Sequence, residues 1–296
     1  MLITSPEVAA VAAALGGATG QYTAGEAADQ LVTLLTNPAY RAHGPEALSL
    51  MCAILSDPTL YTSAVTERVH QRLAETAVSV LAETRVYGVR LPGANLRGVL
   101  LTGAHLTGAE LVGANLEDCN LFGADLSGAN LTDVETGSGT RFVGVTALGA
   151  RFVAAYLRGC DFESADLRGA DFTAARLFNA NLTDTAMGGA NLTGAELGTA
   201  TIYSVDWRGV NLSAAKLDGA LLASSKRGAS LDLRGANLAG ASLYRARLMQ
   251  VDLRGANLAG ADFTDAELTD VNLAGAITEG MTIGRVKTSD VYGLPD

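Results

Sequence analysis

Asp232-Leu-Arg-Gly-Ala-Asn-Leu-Ala-Gly-Ala241 recurs without change at 252–261, so the two copies start twenty residues apart. Each copy is itself a pair of pentapeptides, Leu233 and Leu238 being five residues apart. Outward from this stretch the interval of five persists. Large apolar residues fall at Leu91, Leu96, Leu101 and so on to Leu131, resume at Phe142 and run to Leu222, and resume again at Leu233 to end at Leu273. Of thirty-five such positions only Ala147 is small. A period of five is neither the 2 of a strand nor the 3.6 of a helix, so the repeat takes precedence over local propensity. Two places before each large residue stands a short one, such as Ala94, Cys119, Cys160 or Val251, and the residue between them is often Asn or Asp.

A geometry follows from side-chain direction. If the large residue and the short one two places before it both face inward, as alternation along an extended segment requires, two or three residues per pentapeptide remain for a turn. Each pentapeptide is then one side of a polygon. The twenty-residue identity makes the polygon four-sided and places residues twenty apart in vertical register at the ~4.8 Å strand spacing. Thirty-five pentapeptides give about nine coils.

With these residues in view, the chain from about 86 to 283 resembles the pentapeptide-repeat family. The resemblance implies a mainly β fold, a right-handed quadrilateral β-helix solenoid with Leu or Phe stacked inside and the small residues at the corners beneath. It also implies one concrete activity. Several members resemble a DNA segment in size and negative charge, bind type II topoisomerases such as gyrase, and protect them from quinolones or other gyrase toxins.

Residues 1–85 lie outside the repeat and follow helical spacing, with starts at Ser5-Pro6-Glu7, Thr23 to Glu26 and Gly44-Pro45-Glu46. They predict a small N-terminal α-helical bundle that caps one end of the solenoid. Residues 284–296 form a C-terminal tail in which Val286, Val291, Tyr292 and Leu294 suit a cap or a dimerisation segment, and by analogy with the gyrase-protecting branch a homodimer through this end is expected.

Chemistry is sparse. The net charge of −10 argues against direct nucleic-acid binding through phosphate contacts. No stretch is long and apolar enough to span a bilayer, which suggests a cytoplasmic protein without membrane attachment. Three cysteines and three scattered histidines make neither a disulfide framework nor a metal-ligand spacing. Cys119 and Cys160 fall at inward small positions and, if the eleven residues from Leu131 to Phe142 hold a one-residue bulge, lie two coils apart, beyond disulfide reach. A stacked Leu and Phe interior leaves no cavity for a small ligand. No nucleophile motif, phosphate-binding loop or isolated carboxylate pair is present, so neither a cofactor nor an enzymatic activity is expected. What remains is a rigid binding rod for a protein partner, with DNA-mimicking topoisomerase binding as the alternative. Residues 86–296 hold 23 acids and 17 bases, while the run 141–230 has 9 bases against 8 acids. The acids that suit mimicry are therefore the early ones, Glu110, Glu117, Asp118, Asp125 and Asp133.

The repeat breaks twice, from Leu131 to Phe142 and from Leu222 to Leu233, each time by eleven residues. Eleven is two pentapeptides with a one-residue bulge, or one step with a six-residue excursion. At the first break both readings hold, since Thr136 tolerates an inward place and Gly137-Ser138-Gly139 suits a bulge. At the second, a bulge would bury Arg227 or Gly228 beside Lys226. An unpaired buried arginine is too costly, so Ser224 to Ser230 should project with Lys226 and Arg227 as its tip, a second candidate contact.

Overall fold

The computed structural model describes residues 88–294 with the exceptions of Val205 and Arg227. The expected helical bundle of residues 1–85, the side chain of Arg227 and the last two residues lie outside the described residues.

Parallel pairing joins each side of the coil to the side one turn later, and the pairs form four files. Wall one runs from Arg90 to Ile277, wall two from Asn95 to Thr282, wall three from Leu100 to Lys287 and wall four from His105 to Tyr292, ten residues in each. Most sides are single bridges. Longer strands occur only at and beside the corner between walls three and four: β1 (Thr201–Ser204), β2 (Leu221–Ser224), β3 (Leu231–Asp232), β4 (Arg247–Asp252), β5 (Glu267–Asn272) and β6 (Lys287–Tyr292). The fold is thus a β-solenoid, with no helix among the described residues.

The pentapeptide dictates this shape through three local devices. The small residue donates back to the large residue three places earlier, as Ala94 N–H does to the Leu91 carbonyl at 3.2 Å, which closes a turn. The third residue of that turn takes positive φ, +65° at Gly93, the geometry of a type II turn. The Asn or Asp before each large residue then accepts from the backbone N–H two places on, as Asn115 does from Glu117 at 2.9 Å and Asp171 from Thr173 at 3.0 Å. These Asx contacts satisfy an amide that the bend would leave unpaired. Between turns the coils pair directly, Leu96 N–H donating to the Asn115 carbonyl at 2.8 Å and Asn115 N–H to that of Ala94 at 2.9 Å.

Inside, the large and small positions form one continuous core from Val89 to Leu273. Phe142 and Phe162 stack on wall three with centroids 4.6 Å apart, and Phe152 and Phe172 do so on wall one at 4.7 Å. Rings from the two opposed walls meet edge to face at 6.0 Å, so the aromatic pairs fill the tube across its width. Trp207 is fully buried on wall four, where its indole N–H donates to Thr185 Oγ1 at 3.3 Å. Cys119 and Cys160 occupy inward small positions two coils apart as free thiols, and burial pushes both up to about 12.

The two breaks resolve differently. Asn115 pairs with Glu135 but Asn120 with Arg141, so the first coil gains one residue and the break is a bulge at Gly137 to Gly139. Thr136 takes the half-buried central place, and Thr140 fills the small position with its hydroxyl donating to the Leu116 carbonyl at 2.8 Å. At the second break Asp206 pairs with Asp232 and Leu221 with Arg247, an interval of twenty-six. Six residues, Ser225 to Ser230, are therefore inserted between wall three and wall four, with Lys226 exposed.

The solenoid also runs past its expected limit at 283. β6 pairs along its length with β5, so the coil continues to Tyr292 and most of the anticipated tail is a further turn of the wall. Gly293 ends it at φ +77°, where any Cβ would lie 2.9 Å from the backbone of Leu273 and Ala274.

Candidate functional site

Wrapping a sequence on a twenty-residue coil decides which charges share a face. Glu110 lies on wall one, half-buried, accepting from Asn130 Nδ2 at 3.0 Å. Glu117 and Asp118 follow the centre of wall two and meet Arg97 at 3.3 and 3.4 Å. Asp125 is on wall four. Its burial alone would raise its pKa, but hydrogen bonds from Ser127 and the Thr107 hydroxyl, and nearby His105, hold it below the usual carboxylate range. Asp133 is exposed at the corner after wall one, with φ +55°. Of the five early acids only Glu117 and Asp118 meet one partner; Glu110 and Asp133 lie on wall one and at its trailing corner, and Asp125 lies on wall four. Residues fifteen apart in the chain are three sides round the coil, which spreads these acids over walls one, two and four. Lys226 is exposed in the insertion at the corner of walls three and four.

Two surface constructions escaped the sequence reading. On wall four Asp206, Asp232 and Asp252 form a file, and Arg208, Arg234 and Arg254 form a second file beside it. Each arginine holds the aspartate two residues before it, at 2.9, 2.7 and 2.6 Å, and the first two also reach the next coil's aspartate at 3.7 and 3.8 Å. The hydrogen bond from Arg208 depresses the Asp206 pKa, and that from Arg254 depresses Asp252. This zigzag neutralises itself, and as exposed ion pairs its members add modestly to stability.

The second construction is on wall two, where Tyr156 pairs with Arg176 and the following residues bring Arg158 beneath Phe178. The second could have been found by setting the sequence in rows of twenty, which aligns Tyr156-Leu-Arg158 with Arg176-Leu-Phe178; the first could not, because Asp206 and Asp232 are twenty-six apart. Among the described residues no group of His, Cys, Asp and Glu side chains is placed to hold a metal ion.

A filled four-sided solenoid built from this motif defines a class, and comparison with known proteins agrees. The chain matches the pentapeptide repeats in eight copies, over residues 79–121, 100–134, 138–173, 175–206, 230–255 and 246–277. It belongs to the pentapeptide-repeat family. Among solved structures it is similar to HetL, a pentapeptide repeat protein involved in heterocyst differentiation regulation from the cyanobacterium Nostoc sp. strain PCC 7120, at 31% identity, covering 60% of this chain and 86% of HetL with a TM-score of 0.30. It is also similar to full-length QnrB1, a plasmid-mediated fluoroquinolone resistance protein, at 19% identity over 69% of this chain and 91% of QnrB1, TM-score 0.31. Rfr23, a pentapeptide repeat protein from the cyanobacterium Cyanothece 51142, is 26% identical over 41% of this chain and 65% of its own, TM-score 0.14. No curated protein matches the chain.

Proposed function

We propose that the chain is a non-catalytic binding protein that acts in the cytoplasm by presenting the rigid walls of its solenoid to a protein partner. The observation that carries this reading is the filled interior. Every large inward residue from Leu91 to Leu273 that belongs to the core is at most 3% exposed, so recognition is left to the outside. The walls suit that task because their side chains stand at fixed intervals on a backbone bonded to both neighbouring coils. Affinity capture on the immobilised full-length chain tests it. One protein retained stoichiometrically, and displaced by free full-length chain, is the expected result; turnover of a small-molecule substrate with no protein retained would overturn it.

The specific alternative is protection of a type II topoisomerase. It is favoured by the net charge of −10 on a protein of this family. In a gyrase supercoiling assay this reading expects the wild-type chain to relieve drug-induced inhibition. It expects the variant with Glu110, Glu117, Asp118, Asp125 and Asp133 changed to Gln or Asn to lose that effect. Because these acids are distributed around the rod, the general reading is preferred.

The same proposal includes a homodimer through the C-terminal coil. Met281, Ile283, Val286, Val291 and Leu294 are only partly covered there, Tyr292 is 63% exposed, and among the described residues β6 pairs with β5 on one side only. Light scattering should give about twice the 30.3 kDa chain mass, and a monomer at high concentration rejects the dimer.

A further inference from the structure

On consecutive coils of wall two, arginines and aromatic rings are crossed. The guanidinium of Arg176 lies 4.3 Å from the Tyr156 ring centroid, and that of Arg158 lies 5.3 Å from the Phe178 ring centroid. All four side chains are exposed, the two rings at 44% and 42%. Phe178 is seated against buried Gly198, where a Cβ would come within 3.0 Å of the ring. Elsewhere on the solenoid Arg97, Arg168, Arg208, Lys216, Arg234, Arg245, Arg247, Arg254, Arg285 and Lys287 each meet a carboxylate. Among the described residues Arg158 and Arg176 meet none within 4.0 Å, as is also true of Arg90, Arg141, Arg151 and Lys226, and of these only Arg158 and Arg176 lie over an aromatic ring. Glu196, next in the file above Arg176, is held by Lys216 at 2.9 Å.

Stacking on a ring orients a guanidinium without consuming its N–H edge, which is the fork that matches a carboxylate. We propose that this patch docks a carboxylate-bearing segment of a partner protein, with acidic side chains taken by Arg158 and Arg176 and an apolar side chain laid on Phe178 and Tyr156. The inference rests on the protein-binding reading above and names the partner's chemistry. Arginine and tyrosine are the residues in which interface energy concentrates. Charge also selects the occupant. A short acidic segment senses the local field within a Debye length of about 8 Å, whereas a long nucleic acid meets the whole chain at −10.

The test is fluorescence anisotropy of the full-length chain with three labelled probes. They are a peptide of Glu-Phe-Glu-Glu-Leu-Glu repeated twice, its counterpart with Gln for every Glu, and an oligothymidylate. The acidic peptide should bind, and Arg158→Gln with Arg176→Gln should weaken it by at least about tenfold, as expected for loss of charge-assisted bidentate contacts. The charge-matched control, Arg208→Gln with Arg234→Gln on wall four, should leave affinity unchanged, and Phe178→Ala should lower it. Equal weakening by the two double variants overturns the proposal. So does equal binding of the Gln peptide, or oligothymidylate binding that depends on Arg158 and Arg176 and exceeds that of the peptide. A partner captured as above that the Arg158 and Arg176 variant still retains in full overturns the patch alone; failure to capture any protein overturns the reading beneath it.

Discussion

The inward face of the repeat is clearest at Leu177. The side chain is fully buried on wall two between Leu157 below and Leu197 above. Leu177→Asp places a carboxylate where nothing can pair it, at a cost of several kcal/mol against a total stability of about 5–15. The variant should show no cooperative thermal transition by circular dichroism, and a wild-type melt contradicts the inward assignment. Such positions were legible in the sequence because a strict interval of five admits one inward face. The Asx contacts were half legible: Asn and Asp were evident at their position, but their acceptance from the amide two residues on needed the turn geometry. The contact of Trp207 with Thr185 was not legible, since a hydroxyl twenty-two residues before a tryptophan carries no periodic signal.

At the scale of elements, the two breaks show why equal spacings diverge. Eleven residues fit both a bulge and an excursion. At the first break the choice turned on whether Thr140 could satisfy its hydroxyl inside, which it does on the Leu116 carbonyl. At the second the cost of burying Arg227 had already decided for an excursion. Its bounds came only with the register, because Ser224 pairs with Ser204 and belongs to the wall. Deleting the six residues Ser225 to Ser230 restores a twenty-residue coil. It should move the melting temperature by no more than about 3 °C, since loop length alone changes stability by well under 2 kcal/mol. Deleting Ser224 as well slips the following walls by one residue and should lower it far more. Equal effects of the two deletions in a thermal melt contradict this assignment.

Over the whole molecule, charge follows the coil rather than the chain. Apart from Glu117 and Asp118, the early acids are close in sequence and separated in space, whereas Asp206, Asp232 and Asp252 are distant in sequence and adjacent on wall four. The wall-four arginines hold Asp166, Asp206 and Asp252 below the usual carboxylate range. A carboxylate depressed on folding stabilises above its unfolded value of about 3.9, and that contribution is lost as pH falls through the folded value. The melting temperature should therefore hold from neutral pH to about 5 and decline below about 4, with a shallower decline in Asp252→Asn; identical profiles for the two proteins contradict the ladder's role.

The fold depends on vertical register, twenty residues to a coil with one extra at the first break and six at the second. Electron–electron double resonance between spin labels at Thr132 and Ala259, with the native cysteines replaced, measures it directly. Both positions flank wall one, two residues beyond Asn130 and Asn257, and Asn130 and Asn257 are six coils apart through Arg151, Asp171, Asn191, Asn211 and Asn237. At the ~4.8 Å strand spacing the labels should give a single narrow distance near 29 Å. A broad distribution, or a distance far from that value, contradicts the stacked four-walled rod.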